Sequence, residues 1–198
     1  TTTIPIVFAS VGDPVGLGLV SSLARPGGNV TGFSAVVPEG FAAKQFELLH
    51  EAVPGAARIA VLMNPANAGH RRSLPQTVAA AEKLKVKLQI LEAKTLGELE
   101  SAFEAATRAR AGAVHVYGDP LTWFHRARTA ELAAKARLPA IYQFRDNVAA
   151  GGLMSYGTSN ADLLRRSAGY VDRILKGAKA LGLTIPQAVL GRADQVIE

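Results

Sequence analysis

The sequence predicts an α/β fold built on parallel sheets with helices on both faces. Three observations carry that expectation. Seven short runs rich in β-branched residues alternate with longer segments whose apolar residues recur at helical spacing. Clusters of glycine, proline and asparagine mark the stops, as in "RPGGN" at 25–29, "PG" at 54–55 and "GG" at 151–152. The same Gly-Asp-Pro follows two apolar runs, in "SVGDPVGLGLV" at 10–20 and "YGDPLTWF" at 117–124. Strand, helix and strand in repeated order give parallel pairing.

The strands read in order are 4–9 "IPIVFA", 30–34 "VTGFS", 58–63 "RIAVLM", 87–92 "KLQILE", 113–117 "AVHVY", 139–143 "PAIYQ" and 152–156 "GLMSY". The helix "GFAAKQFELLHEAVPG" at 40–55 separates the first two strands from the other five and reads as a crossover between two lobes. Three further helices show apolar stripes: Leu74, Val78, Ala81 and Leu84; Leu96, Leu99, Phe103 and Ala106; Leu164, Ala168, Val171 and Leu175. Near the end, "ILKGAKALGLTIP" at 174–186 joins two helical segments where the rhythm predicts a strand.

Composition narrows the function. Of 198 residues, 48% are hydrophobic and 19% charged, enough for a core and unlike a disordered chain. No apolar stretch reaches the roughly 18 to 20 residues that span a bilayer. No signal-peptide pattern is visible, which a mature exported chain would also lack. Cysteine is absent, which removes disulfides, thiolate zinc sites, cysteine nucleophiles and two-cysteine isomerase chemistry together. A net charge of +6 and a pI near 9.8 raise nucleic-acid binding. The basic residues, however, come as scattered pairs (Arg71-Arg72, Arg108 and Arg110, Arg126 and Arg128, Arg165-Arg166) on predicted helices without interleaved aromatics. That pattern reads as solvated helix faces, and no nucleic-acid partner is expected.

The glycines at 12, 16 and 18 fit neither G-x-G-x-x-G nor the phosphate-loop pattern, so a nucleotide loop is not expected. Gly-Asp-Pro reads instead as helix initiation. Asp13 and Asp119 accept hydrogen bonds from free N–H groups, and Pro14 and Pro120 are preset for the first helical position. Capping leaves ligand contact open, because ligands of parallel α/β sheets collect beyond the C-terminal strand ends. Asn64 and Asn67 follow the third strand there. Ser155 and Tyr156 end the last, with Ser159 and Asp162 spaced as a capping box. Thr31, Phe33 and Ser34 belong to the second. Seven of the twelve aromatics lie at or beyond strand ends: Phe33, Tyr117, Trp123, Phe124, Tyr142, Phe144 and Tyr156. Polar loops with aromatic walls suit a small organic ligand, while rim packing is the plainer role for each aromatic.

Catalytic patterns are missing. His50, His70, His115 and His125 lie in different elements without metal-ligand spacing, and no G-x-S-x-G elbow occurs. His70, opening a helix as "GHRR", reads as a surface residue. Asp13 and Asp119 could approach as a carboxylate pair, although nothing in the sequence requires it.

The stretches "TIPIVFASVGDPVGLGLVSSLARPGGNVTGFS", "ELLHEAVPGAARIAVLMNPANAGH", "HRARTAELAAKARLPAIYQFRDNVAAGGLMSYG" and "YVDRILKGAK" resemble the ABC-transporter substrate-binding family, whose members include tryptophan- and tyrosine-type amino-acid binders. The resemblance covers nearly the whole chain. It implies a two-lobed, type I periplasmic-binding-protein-like architecture closing on a small solute in a cleft, which is then handed to a membrane permease. Members are periplasmic or lipid-anchored and do no chemistry on the solute.

The resemblance divides the chain into 1–38 as the remaining part of a first lobe, 39–57 as the crossover helix, 58–157 as the second lobe and 158–198 as C-terminal helices returning toward the first. The opening units of the first lobe, and a strand segment between Lys179 and Ala180, are expected to be missing relative to the family. A homodimer through the incomplete lobe is a further expectation.

The candidate ligand set is Ser10, Asp13, Thr31, Phe33, Asn64, Tyr117, Asp119, Tyr142, Ser155 and Tyr156, with no catalytic residue, metal or cofactor. The expected function is solute binding for an ABC uptake transporter, the solute being an amino acid or similar molecule. A sensor or regulatory domain of the same fold is the alternative. A cysteine-independent isomerase or hydrolase stands behind it, short of a nucleophile and a base.

Overall fold

The computed structural model describes residues 4–34 and 39–180. The chain forms two compact units, Thr1–Val36 with Asn160–Glu198, and Val37–Ser159. The sequence "LGLTIPQAVLGRADQVIE" from residue 181 onward, expected to carry a further C-terminal helix, lies outside the described residues.

The larger unit runs α1 (Phe41–Ala52), β3 (Arg58–Met63), α2 (Ala68–Leu84), β4 (Lys87–Glu92), α3 (Leu96–Arg108), β5 (Ala113–Val116), α4 (Pro120–Phe124), α5 (Arg126–Lys135), β6 (Ala140–Tyr142), α6 (Arg145–Ala149) and β7 (Met154–Ser155). Its five strands pair in parallel in the order β4-β3-β5-β6-β7. Period-two geometry sends alternate side chains of one strand to opposite faces. Ile59, Val61 and Met63 therefore join Phe46 and Leu49 of α1 and Ala80 and Ala81 of α2 in one core. Ala60 and Leu62 join Leu99 and Phe103 of α3 and Leu132 of α5 in the other. Cores on both faces explain why "RIAVLM" is continuously apolar rather than alternating.

The smaller unit pairs β1 (Ile6–Val11) in parallel with β2 (Val30–Ser34), with a register shift between Phe8 and Val11. Gly32 passes so close to β1 that a Cβ there would lie 2.0 Å from the Phe8 carbonyl oxygen. Helix α7 (Asn160–Ala180) lies against this pair. Ser10 donates to the Asn160 amide oxygen at 3.3 Å, and Phe33 meets Tyr170 edge-on at 4.9 Å.

Several expectations change in detail. β1 starts at Ile6 rather than residue 4, since Pro5 has no N–H to give to a ladder. β7 shrinks to two residues because the Gly152 N–H is taken by the Asn147 carbonyl, closing the turn after α6. No helix follows Asp13. One helical turn forms, with Leu17 N–H to the Asp13 carbonyl, and Gly18 at φ +68° ends it. Arg110 also lies off its predicted helix, past the end of α3 at φ 55°.

The buried stripe of α7 is Asn160, Leu163 and Ser167, whereas Leu164 is exposed. In α2 it is His70, Ser73, Thr77, Ala80 and Ala81, and the helix runs through Pro75. In α2 the expected Leu74, Ala81 and Leu84 do join the core, sharing the inner face with those polar residues. In α3 the stripe holds from Leu99 to Ala106, but Leu96 is exposed. Leu99→Ala should therefore cost about 2–5 kcal/mol of unfolding free energy, and Leu96→Ala no more than about 0.5 kcal/mol. Urea denaturation measures both, and equal effects would contradict this packing.

Candidate functional site

The strand order β4-β3-β5 means that the chain leaves β3 for one side of the sheet and later returns to the other. Loops leaving the C-terminal ends of β3 and β5 therefore diverge to opposite sides, opening a crevice between them. Residues 64–67 and 117–119 stand at those ends.

Local chemistry shapes both loops. The Asn64 side-chain oxygen accepts the Ala66 N–H at 3.0 Å, turning the chain, and Asn67 caps α2 by accepting the Gly69 N–H at 3.0 Å. Asp119 caps α4, accepting the Leu121 N–H at 3.0 Å in a capping box with Thr122, and Pro120 opens the helix. Each asparagine thus commits its oxygen to backbone and has its NH₂ to spare. Asn67 donates to Asp119 Oδ2 at 2.9 Å, while Asn64 reaches both carboxylate oxygens at 3.3 and 3.4 Å. Asp119 is 5% exposed, and no cation pairs with it among the described residues.

His70 ties the same two loops together. Its Nδ1 accepts the Asn64 backbone N–H at 2.9 Å and its Nε2 lies 3.0 Å from the Gly118 carbonyl oxygen. A backbone N–H only donates and a carbonyl only accepts, so the ring is the neutral Nε2–H tautomer. The expectation of a surface histidine is overturned, for His70 is 5% exposed. Burial lowers its pKa below the ordinary 6.5, against the raising effects of the Gly118 carbonyl, the Asp119 carboxylate and the Asn64 contact. A small void at this point is lined by Asn64, His70, Tyr117, Asp119, Leu121 and Thr122.

Tyr117 and His115 support the crevice from below. The Tyr117 hydroxyl shares a 2.6 Å hydrogen bond with Thr77, and its ring meets His70 and His115 edge-on. Burial pushes the phenol up to about 12. His115 is fully buried, with Nε2 at 3.0 Å from the Gln45 amide oxygen, while the Gln45 NH₂ donates to the Tyr156 carbonyl at 2.6 Å. Burial, with a smaller contribution from His70, lowers His115 to about 3. A histidine depressed in the fold contributes stability that is complete above its ordinary 6.5 and is lost as pH falls through about 3.

The remaining candidates divide. Tyr142, 1% exposed, sits in the core facing α3 and α5, its hydroxyl without a hydrogen-bond partner among the described residues. Ser155 ends β7 opposite Tyr142, and the half-exposed Tyr156 ring lies 5.3 Å from Phe41. In the smaller unit, Asp13 is buried and accepts the Gly16 N–H at 2.9 Å, so it closes a turn rather than capping a helix. Thr31 pairs with Val7 within the sheet, and the Arg166 guanidinium stands 4.6 Å from the Phe33 ring. Of the aromatics, Tyr117, Tyr142 and Phe144 are buried, whereas Phe124 is 69% exposed.

The larger unit thus brings Asn64, Tyr117 and Asp119 together, and adds Asn67 and His70. Asn67 was legible as an amide at a strand end, one residue before an apolar-periodic helix. His70 gave no signal beyond its place three residues after that cap.

A model of the family described as ABC transporter substrate binding protein matches residues 1–197. A tyrosine-binding protein of Clostridioides difficile (strain R20291) is 26% identical over 197 residues, all of this chain and 55% of its own length, so the chain spans about half of that curated relative. A conserved domain protein from Vibrio cholerae superposes with a TM-score of 0.76 at 30% identity, over 98% of this chain and 71% of its own. An ABC domain in complex with L-Trp, from Streptococcus pneumonia, gives a TM-score of 0.76 at 25% identity, over 96% of this chain and 71% of its own.

Proposed function

The chain belongs to the ABC transporter substrate-binding protein family, and from that premise we propose that it binds an amino acid, or a similar small organic solute, at the C-terminal strand ends. The observation that carries this reading is Asp119, a buried carboxylate held by neutral donors alone. A carboxylate offers about four acceptor directions, and an α-ammonium group supplies the positive charge that this one lacks. Asn64 and Asn67 keep its oxygens aimed at the crevice. Tyr156, Ser155 and Tyr117 add polar and apolar surface in the same unit, and Ser10, Asp13, Thr31 and Phe33 are the proposed contributors from the smaller one. Tyr142 acts from beneath, as packing for the strand end.

The solute leaves unchanged and is handed to a membrane permease outside the cytoplasm. Membership in the family and the relatives named for tyrosine and L-Trp support this. Among the described residues no helix is long and apolar enough to cross a membrane. A second copy of the chain is the other proposed partner. Among the described residues β1 and β2 form a two-stranded sheet with no third strand paired to either, and Ile6, Leu17 and Leu23 are exposed. Light scattering should give the mass of a dimer, and a monodisperse monomer would remove this partner.

Titration calorimetry with L-tyrosine and L-tryptophan, and with glucose as the sugar control, tests the solute class. An amino acid should bind, glucose should not, and Asp119→Ala should weaken binding at least about tenfold, the scale of one charge-assisted hydrogen bond. Full affinity in Asp119→Ala, or binding of glucose alone, would refute the reading.

A further inference from the structure

We propose that His70 is the positioning residue of the solute site, a neutral tie between the β3 and β5 loops whose protonation releases the solute. This rests on the reading of the Asp119 cluster as the solute site. The ring spends both nitrogens on backbone: Nδ1 on the N–H of Asn64 and Nε2–H on the carbonyl of Gly118. Asn64 is the residue whose amide holds Asp119, and Gly118 is the residue before Asp119. One ring therefore sets the spacing of the two loops that carry the binding groups, without itself occupying the crevice.

The tie is specific to the neutral form. A proton on Nδ1 places N–H against N–H, so the Asn64 bond breaks and the β3 loop loses one of its ties to the β5 loop, keeping only the Asn64 and Asn67 amides on Asp119. The titratable groups facing the ring are the Asp119 carboxylate, which favours a proton, and His115 and Tyr117 of the β5 end. His115 remains neutral down to about 3 and repels a charge on His70 only below that. Burial is the largest effect and opposes protonation, so His70 titrates on the acid side of the ordinary histidine value of 6.5. The sign follows: affinity is complete at neutral pH and is lost as the solution is made acid.

Gln at position 70 separates position from titration. Its amide carries an acceptor and a donor about as far apart as the two ring nitrogens and has no proton to gain. L-tryptophan affinity of the full chain, measured by calorimetry as the solution is taken from neutral to acid, should fall toward a loss of about tenfold, the scale of one lost hydrogen bond. In His70→Gln, whatever its affinity at neutral pH, the acid loss should disappear, because the amide has no proton to gain. The same acid loss in wild type and His70→Gln would overturn the proposal. So would ¹⁵N spectra showing an Nδ1–H tautomer for His70 at neutral pH.

If L-tryptophan and L-tyrosine both fail to bind at neutral pH, the functional reading fails, and the tie is then read directly on amide exchange at Asn64. Acid should speed that exchange relative to neighbouring amides in wild type but not in His70→Gln. Equal behaviour would overturn it.

Discussion

A buried carboxylate at a reversal of strand order is the constraint on which the larger unit depends. Asp119 cannot sit at 5% exposure without partners, because stranding a buried charge costs several kcal/mol. Besides local N–H donors such as that of Leu121, its partners come from a loop more than fifty residues away in sequence, and they reach it only because β3 and β5 are neighbours. The sheet order therefore decides the site, and the site in turn penalises any other pairing of these strands. A sheet with β4 between β3 and β5 would separate Asn64 from Asp119 and leave the carboxylate with only local N–H donors such as that of Leu121.

The framework beneath is apolar and two-sided. Strand β3 buries Ile59, Val61 and Met63 on one face and Ala60 and Leu62 on the other, so neither loop can shift along the strand without moving side chains between cores. Two polar pairs lie inside this framework: Thr77 with Tyr117, and Gln45 with His115. Gln45 extends the second pair to the Tyr156 carbonyl, connecting α1 with the chain leaving β7. These bonds lie directly under the strand ends. They hold the crevice floor in a single arrangement, which is what a site for a small rigid solute requires.

The parallel order and most strands were legible because their signal is local. "RIAVLM" and "KLQILE" are compact apolar or alternating runs with clear stops, and β3 and β4 occupy those residues. Asp119-Pro120 was legible as a cap for the same reason, its whole geometry lying within three residues. Asp13-Pro14 carries the same letters, yet glycines at 16 and 18 end the turn before a helix can propagate. His70 was illegible since its burial comes from the β5 loop, forty-eight residues on, and the residues around it are polar. In α7 the inner face carries Asn160 and Ser167 beside Leu163, so counting apolar residues set the stripe to one side of it: Leu164 is exposed while Ala168, Val171 and Leu175 are half-buried. Sequence reading recovers what a short window determines. It misses what a distant loop supplies.

The most direct test of the account is a ¹H–¹⁵N correlation spectrum of the chain recorded with and without L-tryptophan. Solute binding at the reversal point predicts the largest shifts at the amides of Asn64, Gly118, Asp119 and Tyr156, with small changes along the open groove of α5 and α6 that carries Arg126 and Ala149. Shifts confined to that groove, or no shift at saturating solute, would contradict the claim that the Asp119 cluster is the binding site.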